Sequence, residues 1–350
     1  MTFQIGFRWY GQDDPVPIEY IRQIPAVDGI VSALYDVTVG DVWPKEKIAG
    51  LKKSIEAAGL VLSVIESIPV HEDIKLGRPT RDTYIENYQQ SIQNMGALGV
   101  GILCYNFMPV FDWTRSSLAM ELADGSTTLS YDHDELKDVD LKTDSFTLPG
   151  WATAYTTDEL HALLDAYAGV DDEALWGNLE YFLTRVVPVA QENDVRMAIH
   201  PDDPPWPIFN LPRIITDGDS LDRLVSIVDS PSNGVTFCTG SLGPNAEMDL
   251  TESLERLSAK GRVPFVHMRN IAGDGKKSFH ETPHPSRFGD VDMYRIMKIL
   301  VETGFDGVVR PDHGRMIWGE TGRPGYGLHD RALGAMYLDG LREALTKGNG

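Results

Sequence analysis

The sequence predicts one (β/α)8 barrel, also called a TIM barrel, that residues 1–350 form as a single domain. Short apolar runs alternate with helix-like segments about eight times, and polar residues lie at the ends of the last four runs. A barrel of this type contains about 250 residues, and more with insertions, so the chain length does not require a second domain. A doubly wound sheet shows the same alternation, but the number of units favours the closed barrel.

The barrel strands are predicted from runs that are short, apolar throughout and rich in β-branched residues. Parallel strands that are covered on both faces have this composition. The runs are Phe3–Phe7, Gly29–Ala33, Val61–Ile65, Gly101–Tyr105, Arg196–His200, Val235–Cys238, Pro264–Met268 and Gly307–Arg310. The amphipathic segments between them predict the helices Lys45–Ala58, Arg81–Leu98, Leu175–Asn193, Leu221–Val228, Leu250–Lys260 and Val291–Glu302.

Residues 106–157 interrupt the alternation, because they contain no convincing strand and are rich in Asp, Ser and Thr. They are interpreted as an insertion after strand four. In a barrel such an insertion would lie at the C-terminal mouth, where lids and substrate-binding loops are found. A disordered acidic loop is the alternative interpretation.

The charge balance disfavours two classes of partner. The 52 Asp and Glu residues against 31 Lys and Arg residues give a formal net charge of −21. A surface of this sign repels nucleic acid and anionic membranes, so we expect neither as a partner. It does not exclude a small anionic substrate, since a metal ion or arginines can reverse the sign locally. The acidity could also reflect a high-salt host.

Cysteine usage and the absence of targeting signals predict a cytoplasmic protein. Cys104 and Cys238 are the two cysteines, which do not make a disulfide framework and suit a reducing compartment. The first residues do not resemble a signal peptide, and no apolar run approaches the roughly 18 to 20 residues of a membrane span. We also expect a homodimer or a higher homo-oligomer, which is common among acidic barrels of this size.

Polar residues at four successive strand ends predict a metal site. The C-terminal ends of barrel strands converge on one mouth, where active sites lie. The residues at these ends are His200, Cys238, His267 and Asp312. Singly, each has an ordinary structural explanation, such as a buried thiol or a turn-capping carboxylate. Together they form a mixed nitrogen, sulfur and oxygen set for a divalent transition metal, and their place at the mouth favours a catalytic ion over a closed zinc site.

Other residues near these strand ends are candidates for proton transfer and substrate binding. His313 adjoins Asp312, and Tyr326 lies in a glycine-rich loop, so both are candidate acid/base groups. A structural imidazole and an exposed loop tyrosine are the alternatives. An arginine would suit a carboxylate substrate, and spacing alone does not rank Arg8, Arg269, Arg310 and Arg315. Candidates for substrate hydroxyls are His280 and His284.

Sequence motifs of several other enzyme classes are absent. There is no GxGxxG after a strand, no GxxxxGK[ST] and no GxSxG. Nucleotide-dependent chemistry and a serine nucleophile are therefore poorly supported.

Several long segments resemble the mannonate dehydratase family. They are FRWYGQDDPV, IRQIPAVDGIVSALYDVTVGDVWP, HPDDPPWPIFNLPRI, FCTGSLG, HMRN, SFHE, RPDHGR and PGYGL. They extend from the first predicted strand to the last helix, so the resemblance covers nearly the whole chain. The tract after Tyr326 and the acidic stretch near Asp124–Asp144 depart from the family pattern, which affects loop closure and substrate fit more than the chemistry.

The resemblance implies a fold, a reaction and residue roles. The fold is a barrel similar to that of xylose isomerase, and the reaction is metal-dependent dehydration of D-mannonate to 2-keto-3-deoxy-D-gluconate in glucuronate (hexuronate) catabolism. Such an enzyme is a carbon–oxygen hydro-lyase with Mn2+ or Fe2+ as cofactor. His313 and Tyr326 would be the acid/base pair, without an assignment of which is the acid. The metal ligands would be His200, Cys238, His267 and Asp312.

Three other functions remain as alternatives. A metal-dependent sugar isomerase or epimerase on the same barrel would form no 2-keto-3-deoxy product. A zinc phosphodiesterase or DNA-repair nuclease would need several bridging carboxylates and a basic surface, which a net charge of −21 does not favour. A non-catalytic sugar-acid binding protein would bind metal and aldonate without turnover.

Overall fold

The computed structural model of the chain describes residues 3–142 and 156–347. Eight parallel strands close into a barrel in the order β1-β12-β9-β8-β7-β4-β3-β2. Their bounds are β1 Gln4–Arg8, β2 Gly29–Ser32, β3 Val61–Glu66, β4 Ile102–Tyr105, β7 Arg196–Ile199, β8 Asn233–Cys238, β9 Phe265–His267 and β12 Val308–Arg310. Each of the eight predicted runs overlaps one of these strands, so the predicted barrel is confirmed.

Twelve α-helices lie in the described part of the chain. Their bounds are α1 Ile18–Ile21, α2 Lys45–Ala57, α3 Glu72–Lys75, α4 Arg81–Gly96, α5 His133–Leu136, α6 Thr157–Tyr167, α7 Asp172–Glu192, α8 Gly218–Ile227, α9 Thr239–Leu242, α10 Leu250–Ala259, α11 Met293–Glu302 and α12 His329–Lys347. Side-chain caps begin several of them. Asp171 accepts a hydrogen bond from Ala174 N at the start of α7, and Asp217 accepts one from Ser220 N at the start of α8.

A second sheet of four antiparallel strands lies beside the barrel, in the order β10-β11-β6-β5. Its strands are β5 Ser117–Glu121, β6 Thr127–Tyr131, β10 Ile271–Gly273 and β11 Phe279–Glu281. The prediction that residues 106–157 contain no strand was wrong. β5 contains polar as well as apolar residues and is partly exposed along its length. The strand prediction relied on apolar runs, which are typical of strands buried on both faces. Residues 143–155 of the predicted insertion lie outside the described residues.

The strand register brings the ends of the last strands to one level. Cys238 of β8 pairs with His267 of β9, and His267 pairs in turn with Arg310 of β12. Tyr105 of β4 pairs with Ile199 of β7, directly before His200. The residues that follow these strands therefore start from neighbouring points on the rim of the barrel.

Across residues 3–142 and 156–347, every helix is too short or too polar to span a bilayer.

Packing of the helices on the barrel supplies a test of the fold. Leu183 of α7 is 0% exposed, whereas Leu333 of α12 is 49% exposed. We expect Leu183→Ala to lower the free energy of unfolding by about 2–5 kcal/mol, because it removes buried apolar contacts and leaves a cavity. The matched Leu333→Ala change should stay within about 0.5 kcal/mol. Urea titration followed by tryptophan fluorescence measures both, and equal effects would contradict this placement of α7.

Candidate active site

Three of the predicted metal ligands lie together at the mouth of the barrel. His200, Cys238 and His267 each contribute one possible ligand atom, and these three atoms all lie within 4.8 Å of one another. Cys238 and His267 are fully buried, and His200 is partly exposed. The three side chains follow or end β7, β8 and β9, so the strand register accounts for their convergence.

A hydrogen bond of His200 and an ion-pair contact of His267 orient the two imidazoles toward a common point. His200 Nδ1 lies 2.7 Å from the carbonyl oxygen of Pro201, to which it donates, so its Nε2 carries a lone pair. His267 Nε2 faces Glu66 Oε1 at 3.5 Å. The two remaining nitrogens, His200 Nε2 and His267 Nδ1, are 3.2 Å apart. Two lone pairs at this distance repel each other unless a cation or a proton lies between them, so the arrangement suits a metal ion.

Asp312 lies beside this cluster. Its Oδ2 is 3.7 Å from Cys238 Sγ, and its Oδ1 is 3.7 Å from His267 Nδ1. Burial opposes ionisation of this carboxyl group, but the nearby guanidinium groups of Arg310 and Arg269 hold its pKa well below the usual range. The carboxylate is therefore an anion, as a metal ligand must be. Its backbone φ of +26° is unusual for an L-residue, and such strain is often found at functional sites.

Four buried charged side chains form a closed ring next to the cluster, which we call the charge ring: Arg115, Asp203, Arg269 and Glu281. Each arginine contacts both carboxylates. Arg115 Nη1 is 2.7 Å from Asp203 Oδ1, and Arg115 Nη2 is 3.0 Å from Glu281 Oε1. Arg269 Nη2 is 2.6 Å from Asp203 Oδ2, and Arg269 Nη1 is 2.8 Å from Glu281 Oε1. Alternating charges satisfy one another, which buried charges require.

The charge ring keeps its carboxylates ionised. Burial alone would raise the pKa of Glu281, but His313, Arg269 and Arg115 lower it to about 2. In the same way, Arg115 and Arg269 overcome burial and hold the pKa of Asp203 below its usual range. Gly240 leaves the room for this arrangement, since a Cβ atom there would lie 2.0 Å from Arg269 Nε.

His313 and Tyr326, the predicted acid/base pair, are hydrogen-bonded to each other. His313 Nε2 lies 2.8 Å from the Tyr326 hydroxyl, and His313 Nδ1 lies 2.7 Å from Glu281 Oε1. Because the Glu281 carboxylate only accepts, Nδ1 carries the proton and Nε2 accepts one from the phenol. Burial raises the pKa of Tyr326 well above its ordinary value, so its phenol is protonated at neutral pH.

A cavity of about 450 Å³ opens above these groups. A volume of this size is typical of small-molecule sites. Of the predicted site residues, the cavity lining includes His200, Asp312, His313, Tyr326, Arg8, Arg269 and Arg310.

Three predicted substrate-binding residues lie elsewhere. Arg315 forms an ion pair with Asp330 at 3.0 Å and lines a different cavity, together with His280 and His284. His280 is in β11, with its backbone paired to Ser130 of β6. The structure therefore does not bring Arg315, His280 or His284 to the cavity that His200 and Asp312 line.

Sequence reasoning missed several polar residues of the site. Glu66 directly follows the third predicted strand, so the strand-end rule that selected His200 would also have selected it. Asp203 stands in the quoted HPDDPP segment but was not singled out. Arg115 gave no signal, because it belongs to the insertion and meets Asp203 only through the fold.

Comparisons with known proteins agree with the family that the sequence motifs indicate. A model of the family described as D-mannonate dehydratase (UxuA) matches residues 3–349. A mannonate dehydratase of Streptococcus uberis is 58% identical over 344 residues, which cover 98% of this chain and 99% of the relative. Mannonate dehydratase 2 of Halalkalibacterium halodurans is 54% identical over 343 residues, with 98% of this chain and 99% of the relative covered.

Solved structures agree with these relatives. The crystal structure of mannonate dehydratase from Streptococcus suis serotype 2 superimposes with a TM-score of 0.94 at 48% identity and covers 100% of this chain and 97% of that one. A xylose isomerase-like TIM barrel protein from Mycobacterium smegmatis has a TM-score of 0.56 at 14% identity, with 98% of each chain covered, which shows the fold alone. The chain belongs to the D-mannonate dehydratase family, which makes it a hydro-lyase and confirms the predicted family.

The depressed pKa of Glu281 predicts how acid weakens the fold. The folded-state value of about 2 lies below the ordinary 4.5, so this carboxylate stabilises the fold above pH 4.5 and the contribution is lost as pH falls toward 2. The full difference corresponds to on the order of 3 kcal/mol. We expect the free energy of unfolding of the metal-free protein to fall more steeply between pH 6 and pH 3.5 than that of Glu281→Gln. Parallel slopes in urea titrations would contradict the assignment.

Proposed function

We propose that the chain dehydrates D-mannonate to 2-keto-3-deoxy-D-gluconate and water in this cavity, with one Mn2+ or Fe2+ ion as cofactor. The observation that carries the proposal is the convergence of the metal-ligand cluster and the His313–Tyr326 pair on one 450 Å³ cavity. The ligands in this proposal are His200, Cys238, His267 and Asp312. The ion, when bound, would stabilise negative charge that develops on substrate oxygens.

The donor set supports a catalytic rather than a structural ion. Two imidazole nitrogens, a thiolate and a carboxylate accept several divalent transition metals. His200 and Asp312 line the cavity, so substrate oxygens have access to the same place. A closed structural zinc site would exclude such access.

Arg8 and Arg310 are the arginines that we propose for the substrate carboxylate. Both line the cavity. Arg8 Nη2 donates to the Tyr35 hydroxyl at 3.0 Å, and Arg310 Nη2 contacts Glu66 Oε1 at 3.0 Å. Arg310 Nη2 also contacts Asp312 Oδ1 at 2.8 Å, whereas its buried Nε and Nη1 have no hydrogen-bond partner among residues 3–142 and 156–347, so two of its donors remain for a substrate carboxylate. Arg269 is less suitable, because the charge ring occupies its guanidinium.

Dehydration needs a base at C2 and an acid at the C3 hydroxyl, and the geometry favours one assignment. His313 Nε2 has a lone pair because Nδ1 donates to Glu281, so it can take the C2 proton. Tyr326 keeps its phenolic proton, because burial raises its pKa. It can therefore protonate the C3 hydroxyl as the C–O bond breaks, so that water leaves and an enol remains.

The hydrogen bond within the pair closes the proton cycle. After the reaction His313 is an imidazolium and Tyr326 is a phenolate, and their polar atoms are 2.8 Å apart in the structure. Transfer of one proton from Nε2 to the phenolate restores both groups. The substrate has then lost one proton and one hydroxide as water, and the enol ketonises to the product. No redox partner is required.

The sugar isomerase or epimerase alternative is not favoured. Epimerases share the barrel, but at 13% identity for a D-allulose 3-epimerase from Methylomonas sp. the likeness concerns the fold alone. The family match extends over residues 3–349 and is specific to dehydratases.

The setting of the enzyme is also part of the proposal. The 2-keto-3-deoxy product would place the reaction in glucuronate (hexuronate) catabolism. Cys104 and Cys238 are free and buried thiols, which supports a reducing, cytoplasmic compartment. We also propose a homodimer or a higher homo-oligomer, which is common among acidic barrels of this size.

Separate replacement of the acid and the base tests the mechanism. With Mn2+ present, we expect Tyr326→Phe and His313→Ala each to lower kcat on D-mannonate by about 10² to 10⁴, because each removes a proton-transfer group. A thiobarbiturate assay measures the 2-keto-3-deoxy product. Tyr294→Phe is the matched control, since Tyr294 is exposed on α11. Near-full turnover by a metal-loaded Tyr326 or His313 variant would refute the role of that residue.

The two cysteines provide a matched test of the metal site. Cys238→Ser should weaken Mn2+ binding by at least about 10- to 100-fold, the loss typical when even a group that supports a ligand is removed. Cys104→Ser should retain the metal, because Cys104 is hydrogen-bonded to Thr236 at 3.2 Å rather than to the cluster. Metal analysis after dialysis measures both. Equal metal content in the two variants would argue against Cys238 as a ligand.

A further inference from the structure

Glu281 is a buried carboxylate that contacts the proposed base but does not line the cavity. We propose that Glu281 is a positioning residue that fixes the ring orientation and the proton location of His313. This inference rests on the proposed role of His313 as the base. The supporting contact is the 2.7 Å hydrogen bond between His313 Nδ1 and Glu281 Oε1.

The contact selects one tautomer of His313. A neutral imidazole carries its proton on either nitrogen, and only the form with the proton on Nδ1 leaves Nε2 free to accept one. The Glu281 carboxylate is an anion and accepts hydrogen bonds without donating any. It therefore favours the tautomer whose Nε2 can receive the C2 proton. It also stabilises the imidazolium that forms during turnover.

Arg269 Nη1 also lies 2.9 Å from His313 Nδ1, and as a donor it would favour the opposite tautomer. Arg269 Nη1 is also 2.8 Å from the negatively charged Oε1 of Glu281. A charge-assisted bond to a carboxylate is roughly twice as strong as one to a neutral acceptor. Arg269 therefore donates to Glu281, and the His313 proton is directed to the same carboxylate oxygen.

The charge ring holds Glu281 in place for this task. Oε1 accepts from Arg115 Nη2 at 3.0 Å in addition to Arg269 and His313. The backbone of Glu281 is fixed in β11, where Glu281 pairs with Ile271 of β10. Arg115 comes from the segment after β4, so a residue of the predicted insertion supports the position of the base.

Two substitutions separate the charge of Glu281 from its hydrogen bond. Glu281→Gln keeps an acceptor oxygen for Nδ1 but removes the negative charge, whereas Glu281→Leu removes both. We expect kcat on D-mannonate to fall by about 10² to 10⁴ in the Leu variant and by less in the Gln variant. KM should change by less than about threefold, because Glu281 does not touch substrate. Glu72→Gln is the matched control: Glu72, with a side chain that is 14% exposed, forms a largely buried ion pair with Lys75 at 2.7 Å and does not line the cavity.

The Mn2+-loaded proteins are compared for kcat, KM and bound metal. The positioning role is supported if kcat falls in Glu281→Gln and falls further in Glu281→Leu, while KM and metal content are preserved in both. Unchanged kcat in either Glu281 variant would overturn it. So would a Gln variant that fails to fold, loses its metal or loses activity only as far as Glu72→Gln does, since each of these indicates a purely structural role. Wild-type enzyme without any 2-keto-3-deoxy product would instead refute the proposed function.

Discussion

The charge ring is the interaction on which the rest of the site depends. Its four members are fully buried, and removal of one partner from such a set leaves an uncompensated charge that costs several kcal/mol. Three of the members are also close to a proposed functional residue, and Arg115 joins two of these three. Asp203 follows His200, Arg269 follows His267 and contacts Asp312, and Glu281 contacts His313. The ring therefore fixes the proposed metal ligands of different strands and the proposed base in one rigid arrangement.

The sequence predicted the barrel and the convergence of four strand ends because both follow from local patterns. A short apolar run identifies a parallel strand, and barrel geometry then determines where its last residue lies. The ring has no such pattern. Arg115 meets Asp203 across 88 positions of the chain and Glu281 across 166. Only the assembled fold shows these contacts.

Arg315 and His280 show where the prediction of site residues from strand ends fails. Both follow barrel strands in the sequence, at a distance of several residues. A residue at or shortly after a strand end is constrained by the barrel, but farther along the chain this constraint is lost. Arg315 instead forms an ion pair with Asp330 at the start of α12, and His280 lies in the antiparallel β11. Proximity in sequence to a strand end therefore predicts a site residue over the first three or four positions, as for His313 and Asp203, and fails for Arg315 and His280, which lie farther along the chain.

The charges around the cavity clarify how a protein with a net charge of −21 could bind an anion. Four arginines and four carboxylates line the cavity, so their formal charges cancel: Arg8, Arg269, Arg310 and Arg323, with Glu66, Asp112, Asp203 and Asp312. The arginines can direct a substrate carboxylate through hydrogen bonds, but they supply no net positive field. Under the proposed function, that field would have to come from the divalent ion, which is often the largest local charge in such a site. The two binding events are therefore coupled: the metal makes the cavity attractive to an aldonate, and the arginines orient it.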